Sequence, residues 1–221
     1  WSSYADIADW QELLVRTDPE ARTSSALTWV ICPMDAPGIT VRPIRTMAGA
    51  YKYCEVFYDA VRIPLSNVVG GLNNGWRTAM STLAFERGTA SLGLLIALTM
   101  EIDRMLGDCP RERPLMRGRL AQLRADAAAA RATAYRVGLD SEDARPEASC
   151  SLLRLWFSEL RQRVTAAAVD LYGVDGPRVM GDHGLGYAYL DAFSETIAGG
   201  TSEIQRTIIG ERLLGLPKGP R

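Results

Sequence analysis

The hydrophobic pattern of the chain changes period near residue 75. Before it, short runs rich in β-branched and aromatic residues alternate with turn residues: Glu12 to Arg16, Leu27 to Cys32, Ile39 to Pro43 and Cys54 to Val61. The second run is mostly apolar and reads as a strand buried on both faces. Asp18-Pro19, Pro37-Gly38 and the stretch from Pro64 to Gly71 separate the runs. This spacing suits a small antiparallel sheet or barrel.

After residue 75 the period is helical. Asn73-Asn74-Gly75 is a cap-and-turn signal, and Trp76 to about Leu106 contains no proline, which predicts one helix. A second helix is expected from Pro114 to Val137, opened by proline and closed by Gly138. A third runs from about Glu147 to Tyr172 and stops at Gly173. A fourth follows Gly199-Gly200, from Thr201 to Leu214, before Gly215 and Pro217. The expected class is α+β: a partial antiparallel β-domain over 1–75, then a four-helix bundle over 76–221.

Composition narrows the function classes. The 221 residues are 47% apolar and 23% charged, with 25 Lys plus Arg against 26 Asp plus Glu. A net charge of -1 argues against a nucleic-acid surface or a polybasic membrane anchor. Arg111, Arg113, Arg117, Arg119 and Arg124 form a local basic cluster, which either solvates a helix or does more. Cys32, Cys54, Cys109 and Cys150 lie far apart with no CxxC pair, and His183 is the single histidine. Neither zinc spacing nor a disulfide framework follows, and a reducing cytoplasm is the default expectation. The longest apolar run, Leu92 to Leu98, is too short to span a bilayer. The opening Trp1-Ser2-Ser3-Tyr4 carries neither Met nor a signal peptide, which leads to the expectation of a missing upstream region.

Glu86 stands out among its neighbours. On a helix it shares a face with Leu83, Ala90, Gly93 and Ala97, all apolar or small. Either it pairs with an arginine or faces water, or it is buried. If buried, desolvation raises its pKa into the range of a general base at neutral pH. Pattern alone leaves both readings open.

Several segments together resemble the acyl-CoA dehydrogenase family. Val61-Arg62-Ile63-Pro64-Leu65-Ser66-Asn67-Val68-Val69-Gly70, then Asn74-Gly75-Trp76, resembles the family's link from sheet to bundle. Leu83-Ala84-Phe85-Glu86-Arg87-Gly88 resembles its first bundle helix. Gly199-Gly200-Thr201-Ser202-Glu203-Ile204-Gln205-Arg206, with Ile208-Ile209-Gly210-Glu211-Arg212, resembles its C-terminal signature. Trp1-Ser2-Ser3 resembles its flavin-contacting Trp-x-Ser/Thr. The matches run in family order across nearly the whole chain.

The resemblance implies a flavoprotein with FAD as cofactor that dehydrogenates an acyl-CoA thioester. Its base takes the α-proton while the β-hydrogen leaves as hydride to the flavin N5 atom. By resemblance the base is Glu86, because the family's more common glutamate position is Gly199 here. The backbone N–H of Gly199 would then donate to the thioester oxygen, where enolate charge develops. Trp1, Ser3, Thr201, Glu203 and Gly173 would contact the cofactor, and Arg87 and Ala90 the substrate. Read without the resemblance, Trp1 is an ordinary core aromatic and Thr201 a helix cap. The resemblance further implies fatty-acid or steroid degradation, an electron-transferring flavoprotein as acceptor, and a homo- or hetero-tetramer.

Two stretches depart from the family pattern. Arg-x-x-Phe-Gly is replaced by Arg104-Met105-Leu106-Gly107, and Gln-x-x-Gly-Gly-x-Gly by Asp170-Leu171-Tyr172-Gly173-Val174-Asp175-Gly176. Asp170 is a poor neighbour for a pyrophosphate. A weakened cofactor half-site would suit a non-catalytic subunit of a mixed oligomer. A flavin oxidase or monooxygenase on the same fold is the third expectation.

Overall fold

A computed structural model describes residues 1–21, 24–88, 90–139, 146–174, 176 and 184–218; the side chains of 83–91 and 138–147 lie outside the described set. The chain forms two compact units, Trp1–Leu83 and Ala84–Arg221.

The first unit contains β1 (Ser2–Ser3), β2 (Trp10–Arg16), β3 (Leu27–Pro33), β4 (Ile39–Ile44), β5 (Tyr53–Tyr58) and β6 (Val68–Val69). They pair antiparallel in two three-stranded sheets, ordered β1-β5-β4 and β2-β3-β6. In the second sheet Trp10 lies opposite Pro33 and Arg16 opposite Leu27. Every expected strand is present. The expectation of burial on both faces of Leu27–Cys32 does not hold, because burial alternates: Thr28, Val30 and Cys32 are buried, while Leu27, Trp29 and Ile31 are partly exposed. That is the signature of a sheet with one covered face.

A polar knot fastens the exit of this unit. Thr28 is fully buried, and its hydroxyl lies 2.6 Å from that of Thr17 and accepts from the Asn73 N–H at 2.8 Å. The next turn brings Gly75 onto β3, where an added Cβ would stand 2.4 Å from the Trp29 nitrogen. Only glycine permits that approach. Helix α1 (Gly75–Gly88) starts there.

Of the expected helix from Trp76 to Leu106, α1 covers the part up to Gly88 and α2 (Ala90–Asp108) the rest, with Thr89 between them outside the described residues. Then come α3 (Pro114–Leu139), α4 (Pro146–Tyr172), α5 (Leu185–Asp191), a 3₁₀ segment (Ala192–Thr196) and α6 (Ser202–Ile208). A π-helical turn, Ile209–Leu213, closes the series. The fourth expected helix is thus α6 plus this turn. The short α5 and the 3₁₀ segment fall in a stretch the pattern left unassigned. His183 lies outside the described residues.

Helices α2, α3 and α4 pack against one another around one apolar core. Their stripes are Leu95, Leu98, Ile102 and Met105; Leu120, Leu123, Ala127 and Ala130; and Leu153, Phe157, Leu160 and Val164. Spacings of three and four keep each stripe on one helical face. Alanines on α3 let it approach closely, whereas Phe157 fills the wider gap from α4.

The basic cluster proves to be largely structural. Arg117 donates from Nη1 to the carbonyls of Leu106 and Cys109 at 3.1 and 2.9 Å, closing the end of α2. Arg113 donates to the carbonyls of Asp170 and Leu171 at 3.2 and 3.3 Å, closing the end of α4. Helix ends leave such carbonyls without intrahelical donors. Arg119 pairs with Asp170 and Arg124 with Asp103.

One carboxylate interrupts the core. Glu101 is 5% exposed, and neither of its oxygens has a hydrogen-bond partner among the described residues. Burial pushes its carboxyl up to about 7, against the opposing pull of Arg161 and Arg104. Unfolded, it titrates near 4.5. The folded chain therefore holds the extra proton between these values, and stability falls as pH rises through that window. In the full-length protein, Glu101→Gln is expected to abolish this dependence. The gain over wild type grows with pH, to about 3 kcal/mol at pH 8. Urea unfolding that gives the same difference at pH 5 and pH 8 would contradict it.

Candidate active site

The C-terminal signature is built on a turn between the 3₁₀ segment and α6. Gly199 and Gly200 both have positive φ, +67° and +103°. A side chain at 200 would also run into the amide of Gln205, whose nitrogen lies 2.7 Å from the ideal Cβ position. Helix α6 then begins at Thr201, the N-cap, whose hydroxyl accepts from the Ile204 N–H at 3.4 Å. The helix-cap reading of Thr201 therefore holds. Glu203 is exposed in the first turn; its own backbone N–H and the Thr201 hydroxyl hold its carboxyl below the usual value. A negative charge there also suits the helix dipole.

Beside this turn is a cavity of about 470 Å³, lined in part by Thr196, Ile197, Thr201, Ser202, Glu203 and Arg206. Ser202 is 8% exposed, and its hydroxyl is buried without a hydrogen-bond partner among the described residues. An orphaned hydroxyl next to a polar cavity fits a ligand rich in hydroxyl and amide groups, as a flavin nucleotide is. Arg206, on the same wall, pairs with Glu159 of α4.

The turn itself is tied to α4. Arg154 donates from Nη1 to Glu195 Oε2 at 3.1 Å and from Nη2 to the carbonyls of Glu195 and Ala198, both at 2.9 Å. The pair is largely covered, with side-chain exposures of 17% and 21%. The N–H groups of Gly199 and Gly200 donate to no described residue.

Gly199, Thr201 and Glu203 are thus brought together. Gly173 is not with them: it ends α4, with φ +80° and its N–H on the Val169 carbonyl at 2.8 Å. That is a helix-stop glycine. At 1.5 Å per residue it stands about 28 Å along α4 from Arg154. Asp170, one turn before it, faces the Arg119 guanidinium. This end of the helix, with a carboxylate already paired and Arg113 committed to carbonyls, does not fit a phosphate-bearing group.

Trp1 and Ser3 belong to the β unit. Trp1 is 87% exposed and its ring lies 6.4 Å from that of Tyr53, so it is not a core aromatic. Ser3 is exposed on β1, opposite Tyr53. The side chains of Glu86, Arg87 and Ala90 lie outside the described residues. No helix among the described residues is long and apolar enough to cross a membrane. No group of three potential metal ligands occurs among them either.

Two roles in this region escaped the sequence reading: that of Arg154, and that of Gln205, which was read only as part of the signature motif. Their helical neighbours mark Arg154 and Gln205 as polar positions beside apolar ones, and nothing in the pattern shows which carbonyls they meet. Glu101 was detectable, since Leu98 and Met105 flank it at offsets of three and four, the same signal that drew attention to Glu86.

Comparison with known proteins supplies the family. The profile of the acyl-CoA dehydrogenase C-terminal domain matches residues 73–214. Acyl-CoA dehydrogenase IpdE1 of Mycolicibacterium smegmatis is 34% identical over 224 residues, covering 99% of this chain and 56% of the relative. FadE34 of Mycobacterium tuberculosis is also 34% identical, over 99% of this chain and 30% of its own length. Among solved structures, the Tcur3481-Tcur3483 steroid ACAD superposes with a TM-score of 0.82 at 27% identity, covering 98% of this chain and 59% of that one. The ChsE4-ChsE5 complex from Mycobacterium tuberculosis gives 0.80 at 25% identity, over 99% of this chain and 60% of that one. The chain spans 60% or less of the length of each of these proteins. With the strand order, the helical core and the glycine turn in place, the chain belongs to the acyl-CoA dehydrogenase family.

Proposed function

We propose that the protein carrying this chain is an FAD-dependent acyl-CoA dehydrogenase that introduces a double bond between the α and β carbons of a fatty or steroid-derived acyl-CoA. The observation that carries this reading is the Gly199 turn. The carbonyls around it are occupied, while the Gly199 N–H is left undonated at the mouth of a turn only glycines can form. Such an N–H is suited to a thioester oxygen, which becomes an enolate-like oxyanion as the α-proton departs. FAD, when bound, supplies the acceptor for the β-hydride.

The chain's own residues divide the remaining work. Glu86 takes the α-proton on its carboxylate, the acid–base step that an unactivated α C–H requires. Gly199 stabilises the oxygen. Thr201 and Glu203 would hold the flavin's polar portion at the start of α6, with Trp1 and Ser3 contacting its ring, and Arg87 and Ala90 would line the acyl path. An electron-transferring flavoprotein is the proposed final acceptor, and the cytoplasm, where four free thiols remain reduced, the proposed compartment. In the full-length, flavin-loaded protein, Glu86→Gln is expected to lower kcat by at least about 100-fold. Flavin absorbance and thermal midpoint should stay unchanged. Full activity would contradict the assignment.

A second reading is favoured by the Asp170 end of α4, which does not fit a phosphate. There the protein is one of two different chains, and its neighbour completes part of the flavin binding. The solved relatives named as pairs, Tcur3481-Tcur3483 and ChsE4-ChsE5, are consistent with it. Expressed without a partner, the full-length chain is expected to hold well under one FAD per chain by absorbance. A fully loaded, active homo-oligomer would overturn this second reading and leave the first intact.

A further inference from the structure

The undonated N–H of Gly199 is aimed by side chains on two separate helices. A trans peptide is planar, so its C=O and N–H point to opposite sides. No cis peptide bond occurs in this turn. The Ala198 carbonyl faces Arg154 on α4, at 2.9 Å. The N–H of Gly199, in the same peptide plane, therefore points away from that guanidinium. The Gly199 and Gly200 carbonyls both face the Gln205 amide on α6, at 2.9 and 3.2 Å. This fixes the next two peptide planes in the same manner.

Paired glycines with positive φ would otherwise be the loosest point of the chain, because no Cβ restricts them. Arg154 and Gln205 supply the restraint that side-chain sterics cannot. Each of them also carries a polar atom left without a partner among the described residues. Gln205 is 1% exposed, yet its Oε1 has no hydrogen-bond partner among the described residues, and the same holds for Arg154 Nε. The same guanidinium lies close to Gly199, with Nε 3.4 Å from where a Cβ would be.

We infer that Arg154 and Gln205 are positioning residues for dehydrogenation, holding the Gly199 N–H toward the developing oxyanion. This rests on the reading of Gly199 as the thioester donor. The two residues touch neither substrate nor cofactor; they act through the turn.

The test uses the full-length, flavin-loaded protein with any partner chain that co-purifies. Its probes are octanoyl-CoA, cyclohexane-1-carbonyl-CoA and a steroid-side-chain acyl-CoA, with ferrocenium as electron acceptor. Arg154→Met and Gln205→Met are each expected to lower kcat about 10- to 100-fold, a part of the loss seen when an oxyanion donor is removed outright. KM should stay within about threefold, since a donor engaged mainly in the transition state leaves ground-state binding intact. Flavin content should be unchanged, and Arg154→Lys, which keeps the charge and one donor, should recover much of kcat. If Arg154→Met does not fold, Gln205→Met decides: lower kcat at constant KM supports the inference. Wild-type kcat in the variants, or a rise in KM alone, overturns it while the Gly199 reading stands. A wild-type protein that oxidises none of the three thioesters brings down both.

Discussion

The C-terminal unit depends on a largely covered positive charge that grips backbone rather than ligand. Arg154 sits within the core-facing stretch of α4, beside Leu153 and Phe157, and spends its guanidinium on Glu195 and on two carbonyls of the segment leading into the glycine turn. A guanidinium is suited to this because its donors form a fixed planar fork and it stays charged at any working pH. Removing it would leave a carboxylate and two carbonyls short of donors at once. The two glycines can then hold left-handed conformations that the chain would otherwise sample only in passing.

Helix α4 is therefore the spine of the unit. Along one face it carries the apolar stripe that joins α2 and α3. Along the rest it distributes polar anchors: Arg154 to the turn, Glu159 to Arg206 of α6, and Gln162 to the Thr196 hydroxyl at 3.1 Å. Its C-terminal end is closed by Arg113 and Arg119. The two ends of this helix thus have opposite chemistry. Near Arg154 a turn presents free N–H groups; near Asp170 the polar groups satisfy one another.

Much of this was legible before any coordinates. Strand runs bounded by Pro and Gly, and helices opened by Pro114 and closed by Gly173, carry local signals strong enough to survive tertiary packing. The α5 helix was missed because seven residues, one of them Gly186, show too little of a 3.6 period. One covered face of β3 was mistaken for two, because a run such as Leu27 to Cys32 reads the same whether its second face is fully or partly covered. At the candidate site, Gly199 and Thr201 were proposed through motif resemblance, and Glu86 was singled out by its apolar neighbours. The roles of Arg154 and Gln205 were invisible for a physical reason. What makes them important is the pairing of side chains with carbonyls 44 and 6 positions away, and no local pattern encodes a distant carbonyl.

The claim at the centre is that the Gly199 N–H meets the carbonyl oxygen of an acyl-CoA thioester. A crystal structure of the full-length protein with a bound acyl-CoA measures that contact directly. The account predicts an N···O distance of about 2.7–3.1 Å with the Ala198 carbonyl still on Arg154. A thioester oxygen bound elsewhere, or a Gly199 N–H turned away from it, would contradict the account.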